Sequence, residues 1–167
     1  SVIDSNKEKF ELIGISVHSN VEKANQIIKK YSPKYIYIFD KLAKDNLLKT
    51  ENAVIFEDEK ELSDVFNSKD VDIIISAISG FAGIKSTFHA AKSGKKILLA
   101  NKESIVAGGS LLMETVRENN TELVPIDSEH NAIFQCLPES RSTQDVEQIV
   151  ITRLRRPLSR KEHWWTQ

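Results

Sequence analysis

One cysteine, Cys136, is all that 167 residues contain. An internal disulfide is therefore impossible, and the chain fits a reducing compartment. No apolar run reaches the roughly 18 residues that a membrane-spanning helix needs. A formal net charge of -1, with a pI near 6.4, argues against a polyanion-binding surface across the whole molecule. Six glycines and four prolines leave no Pro/Gly/Ser-rich linker, and no internal repeat is present. There is no G-x-S-x-G stretch and no Cys–His arrangement that suggests a nucleophile. What remains is 40% hydrophobic and 28% charged, the balance of a soluble globular protein of one domain or a little more. The opening stretch "SVIDSNKEKF" has no initiator Met or signal-peptide pattern, and it begins inside an amphipathic pattern. These features predict a soluble, cytoplasmic chain that is cut at its front.

Short β-branched runs alternate with longer helical stretches. Strands are expected at 10–17, 35–40, 71–79, 95–101 and 121–127. Ile73-Ile74-Ile75 and Ile97-Leu98-Leu99 are apolar on both faces, as parallel strands covered by helices on each side would be. Between the strands lie the helical runs "VEKANQIIKKY", "EKELSDVFNS", "GIKSTFHAAKSG" and "ESIVAGGSLLMETVRENN", and Gly94 is placed to stop the third. This order predicts an α/β, Rossmann-like, mainly parallel sheet with helices on both faces. A further strand at 147–153 would belong to a second, α+β domain. The last stretch, "RLRRPLSRKEHWWTQ", is compositionally foreign: basic, and holding both tryptophans. It reads either as a binding tail for an acidic partner or nucleic acid, or as a segment without an evolved role.

In open α/β sheets, ligands sit beyond the carboxyl ends of the strands. At 18–20, His18, Ser19 and Asn20 either cap the next helix or read a nucleotide ribose. With no acid at this tip, a phosphate-bearing ribose is favoured. In "AISGFAG", Ser79 and two glycines let backbone approach a ligand. In "LLANKES", Asn101, Lys102 and Glu103 follow a buried strand, where Lys102 would meet an anionic or hydroxylated substrate. The plainer reading is a solvent loop with a weak Lys–Glu pair.

The densest stretch is "PIDSEHNAIFQ", 125–135. A hard divalent cation takes oxygen ligands. Asp127 and Glu129 can share one if the backbone at Ser128 is extended or turning. Two carboxylates leave positions open for a chelating substrate, to which Ser128 could donate. Zinc suits this set poorly. A capped helix start is the alternative, with Ile133 and Phe134 buried. Cys136, in an apolar run, is expected in the core.

"LLANKESIVAGG" followed by "VPIDSEHNAIFQCL" resembles the 1-deoxy-D-xylulose 5-phosphate reductoisomerase family, and the resemblance spans about 1–152. It implies NADPH and a divalent metal (Mg²⁺, Mn²⁺ or Co²⁺) as cofactors. The reaction implied is isomerisation and reduction of a sugar phosphate in non-mevalonate isoprenoid synthesis. By residue, it implies Asn101 and Glu103 on NADPH, Lys102 on substrate, Asp127 and Glu129 on metal, and Ser128 on substrate. Lys102 and Glu129 are the implied catalytic pair. "HSN" falls where the family has Gly, a basic residue and Asn. Asn20 agrees with that pattern, while His18 and Ser19 depart from it. Domains are expected at 1–125 (nucleotide) and 126–152 (start of the catalytic domain), with 153–167 atypical.

The resemblance also implies a homodimeric parent that binds neither nucleic acid nor membrane. Against the family, the chain is expected to lack the Gly-rich loop upstream and a third metal carboxylate downstream. It would then be inactive alone, bind NADPH poorly and expose hydrophobic edges. After a strand like "IVIT" the family reads Ala-Ser-Gly-Gly-Pro-Phe-Arg. One inserted base in GC-rich codons turns this into the Arg-Leu-Arg-Arg-Pro-Leu found at 153–158, so 153–167 is expected to be out of frame. Two rival readings are another NADP-dependent dehydrogenase and a non-catalytic α/β module using its basic tail.

Overall fold

In a computed structural model of the chain, residues 2–137 and 146–150 are described. Among the described residues, six strands alternate with five α-helices and a 3-10 turn after a short opening helix, α1 (Val2–Ser5). The first parallel sheet has the order β1 (Gly14–Val17), β2 (Tyr35–Ile38), β3 (Val54–Phe56). The second has β4 (Ile73–Ser76), β5 (Lys96–Leu99), β6 (Leu123–Pro125), also all parallel. Parallel neighbours need crossovers. These are α2 (Val21–Tyr31), a 3-10 turn (Lys41–Asn46), α4 (Ala82–Ala91) and α5 (Lys102–Glu118), while α3 (Glu61–Asn67) links the two sheets. The fold class is α/β, Rossmann-like, as the alternation predicts. Among the described residues, no helix is long and apolar enough to cross a membrane.

Each crossover helix buries one stripe. In α2, Ala24 and Ile28 stand four residues apart and pack with Val17, Ile36 and Ile38. Asn20 caps its start, accepting from the Lys23 N–H at 3.0 Å. It ends at Ser32, which is left-handed at φ 48° and followed by Pro33. In the second sheet Ile74, Ile97 and Leu99 pack with Ala90, Ala91, Leu112 and Val116 from α4 and α5.

Several expectations need correction. The run at 10–17 pairs only from Gly14, and 71–79 only over Ile73–Ser76, after which the chain turns away. β3 and the 3-10 turn were not expected. Residues 146–150 form no strand, and 151–167, including the atypical tail, lie outside the described residues. β4 is not covered on both faces. α4 packs against the face holding Ile74 and Ser76, whereas Ile73 and Ile75 stay 40% and 63% exposed. α5 is broken at Gly109 (φ 45°, ψ −128°). Gly94 is left-handed as a stop residue should be (φ 69°), but it lies beyond the Lys92 cap. The last helix, α6 (Ser128–Cys136), buries none of its residues, so Ile133 and Phe134 are only half-buried. Cys136 is exposed rather than in the core, because no described element packs over its side of α6.

Candidate active site at the strand tips

β5 and β6 leave the second sheet side by side. Leu99 pairs with Pro125, and the Ile126 N–H donates to the Leu99 carbonyl at 2.9 Å. Asn101 follows Leu99 at the same offset as Asp127 follows Pro125, and each caps the helix that begins on the next residue. The two motifs singled out in the sequence therefore start at neighbouring positions on adjacent strands, about 5 Å apart in such a sheet.

Asp127 is extended (φ −71°, ψ 150°) and mostly buried. Its Oδ2 accepts from the His130 backbone N–H at 3.3 Å and lies 2.5 Å from His130 Nδ1. Burial pushes the Asp127 carboxyl up, but the His130 ring and backbone hydrogen bonds outweigh this and hold it below the usual carboxylate range. It is thus ionised at neutral pH. Ser128 is the first helical residue, so of the two conformations expected there the turning one is found, and the extended residue is Asp127. Ser128 and Glu129 are exposed in the first turn of α6. Among the described residues, no three His, Cys, Asp or Glu side chains gather as a metal cluster. Two oxygen-bearing carboxylates fit a hard cation that keeps other positions open.

Across from these, Lys102 opens α5, exposed and with no ion pair among the described residues, so the Lys–Glu pair of the plainer reading does not form. The Glu103 carboxylate is held instead by Asn101, whose Nδ2 donates to Oε2 at 3.1 Å. The same Nδ2 donates to the carbonyls of Ile78 at 2.7 Å and Gly80 at 2.9 Å. Asn101 Oδ1 accepts from the Ser104 backbone N–H at 2.8 Å and from the Ser104 hydroxyl. Asn101 is 2% exposed.

Three residues missed in the sequence, Ser76, Thr87 and Ser104, form a buried layer behind Asn101. Buried Thr87 Oγ1 donates to the Gly83 carbonyl at 2.7 Å, lies 2.7 Å from Ser76 Oγ and stands 3.0 Å from Ser104 Oγ, whose single hydroxyl proton it shares with Asn101 Oδ1. Only the Asn101-x-x-Ser104 cap spacing could have signalled any of it. Loop 77–81 passes through Gly80 (φ 73°), where backbone is free to approach a ligand.

His18, Ser19 and Asn20 lie at the tip of β1, in the other sheet. His18 and Ser19 are exposed, and the His18 ring stands 5.8 Å from that of Phe39 at the tip of β2. Asn20 serves as the α2 cap.

Comparison with known proteins matches the chain to a family over most of its length. The family model for 1-deoxy-D-xylulose 5-phosphate reductoisomerase matches residues 1–109. The model for its C-terminal domain matches 123–163, which runs into the basic tail. The enzyme of that name from Francisella tularensis subsp. novicida (strain U112) is 42% identical over 156 residues, 92% of this chain and 40% of the relative. That from Leptospira interrogans serogroup Icterohaemorrhagiae serovar Lai (strain 56601) is 40% identical over 153 residues, 90% and 39% of the two chains. The Zymomonas mobilis enzyme solved with NADPH superposes with a TM-score of 0.74 at 34% identity, over 83% of this chain and 37% of that one. A reductoisomerase solved with NADPH, fosmidomycin and magnesium gives 0.73 at 33%, over 83% and 35%. The chain spans about 40% of the length of the curated relatives it matches. With both motifs on adjacent strand tips and the family model running through both sheets, the chain belongs to the 1-deoxy-D-xylulose 5-phosphate reductoisomerase family.

Proposed function

We propose that this chain supplies the nucleotide side and part of the metal and substrate site for NADPH-dependent conversion of 1-deoxy-D-xylulose 5-phosphate to 2-C-methyl-D-erythritol 4-phosphate. The observation that carries the reading is the matched offset of Asn101 and Asp127 on β5 and β6. It sets Lys102 and the carboxylates of Glu103, Asp127 and Glu129 at a single sheet edge. Residues 1–125 form the nucleotide domain in this reading, and 126–152 begin the catalytic one. The setting is the cytoplasm, and the whole enzyme is a homodimer.

Asp127 and Glu129 would hold the divalent ion. Once bound, such an ion polarises a carbonyl and stabilises alkoxide charge, while NADPH supplies the hydride. The chain's own residues orient and neutralise. Asp127 stays ionised through its His130 bonds. Ser128 donates its hydroxyl to a sugar oxygen. Lys102, free of any described carboxylate, meets the anionic substrate at the start of α5, where helix N–H groups also favour negative charge. Glu103 is the fixed acceptor available to a cofactor hydroxyl or amide. Asn20, Ser19 and His18 lie where the adenosine ribose arrives beyond β1.

The test is calorimetric titration of 1-deoxy-D-xylulose 5-phosphate into the chain with and without Mg²⁺. Binding should require Mg²⁺ and weaken about tenfold or more in Lys102→Met, the loss of one charge-assisted contact. Equal binding with and without Mg²⁺, or by Lys102→Met, would contradict the reading.

A further inference from the structure

The carboxamide of Asn101 has two N–H donors and one carbonyl oxygen. Three acceptors share the donors: the Ile78 and Gly80 carbonyls and Glu103 Oε2. Two donors from Ser104 take the oxygen. At 2% exposure, the side chain has no polar atom left to face a ligand. Apart from buried Ser104, however, its partners lie at the candidate nucleotide edge: the 78–80 turn and the Glu103 carboxylate.

Packing around it is equally specific. A Cβ added at Gly83 would stand 3.0 Å from Asn101 Nδ2 and 2.3 Å from the Ile78 carbonyl oxygen. The bare glycine lets α4 start against this clasp. Thr87 ties the same layer to β4 and α5 from behind, but it bonds neither the Gly80 turn nor Glu103. Asp or Ser at position 101 would cap α5 as well as Asn does. Only a side chain with N–H groups can hold two carbonyls and a carboxylate together, so the amide has a task beyond capping.

We propose that Asn101 is a positioning residue for NADPH: it acts through the 78–80 turn and Glu103 and does not touch the cofactor with its side chain. This rests on the reading of the chain as a nucleotide-binding domain. The experiment is an NADPH titration of ¹⁵N-labelled chain, into the millimolar range, followed by amide NMR shifts, with thermal unfolding measured on each variant. Asn101→Ser keeps a helix cap and removes the clasp. Thr87→Val removes the bonds behind it and is the control for lost stability.

Asn101→Ser should weaken NADPH about tenfold, the loss expected when hydrogen bonds to a charged group and buried carbonyls go. The amides of 79–83 should exchange faster. Thr87→Val should change NADPH affinity less than about twofold, however far its Tm falls. Should Asn101→Ser not fold, Asn101→Asp keeps size and cap and is read the same way, with affinity compared across salt concentrations to separate its added charge. The inference is overturned if the Asn101 variants bind like wild type, or if Thr87→Val loses affinity in proportion to stability as they do. Wild type failing to bind NADPH at all would overturn the nucleotide reading, and this inference with it.

Discussion

Among single residues, two of the helix caps were legible, and those that act through the core were not. Asn20 and Asp127 stand at the start of a helix with a capping side chain, so a local rule finds them, whereas the cap at Asn101 was read as a ligand contact or a solvent loop. Thr87 and Ser76 are joined only by folding, from positions that look like ordinary helix and strand. Gly83 belongs with them, because its need for a bare Cα arises from a carbonyl in another turn. In most helices Gly→Ala gains about 1 kcal/mol. Here Gly83→Ala should instead lose about 1–3 kcal/mol through the forced contact, read from urea unfolding; an unchanged midpoint would refute the contact. Tyr37 offers a test of burial by pH. Burial, and next the Glu59 and Asp58 carboxylates, push its phenol above the ordinary value against the opposing pull of Lys85. The unfolded chain therefore loses that proton first, and stability should fall as pH rises from about 10 towards the raised value. Phenolate absorbance at 295 nm, wild type minus Tyr37→Phe, should appear only above the ordinary range.

At the scale of elements, strongly periodic segments were read correctly and irregular ones were not. The Ala24–Ile28 stripe of α2 follows from its spacing alone. β3 has only three residues and sits among polar ones, so its pairing with β2 supplies what periodicity could not. α5 reads as one helix, yet Gly109 takes φ 45° and ψ −128°, a conformation open to glycine and strained for any L side chain. The would-be Cβ meets nothing within 4 Å, so a substitution tests backbone alone. Gly109→Ala should destabilise the chain by about 1–3 kcal/mol in chemical unfolding. A gain of about 1 kcal/mol, as in a straight helix, would mean that α5 is unbroken.

Over the whole molecule, alternating strands and helices made the parallel α/β class legible. Which faces would be covered was not. The run Ile73-Ile74-Ile75 is equally apolar on both sides, and only the seat of α4 decides that Ile74 is buried while Ile75 is 63% exposed. The site was legible as two motifs, and their meeting depends on β5 and β6 being neighbours, a fact of topology. The central claim is that Asp127 and Glu129 form an oxygen-ligand site open to a chelating substrate. It is tested most directly by the free-ion EPR signal of Mn²⁺ titrated with the chain. Wild type should take up one Mn²⁺ per chain, and more tightly when 1-deoxy-D-xylulose 5-phosphate is added. Asp127→Asn, which keeps the α6 cap, and Glu129→Gln should each abolish that uptake without unfolding the chain. Undiminished Mn²⁺ uptake by either variant, or no effect of the sugar phosphate on wild type, would contradict the account.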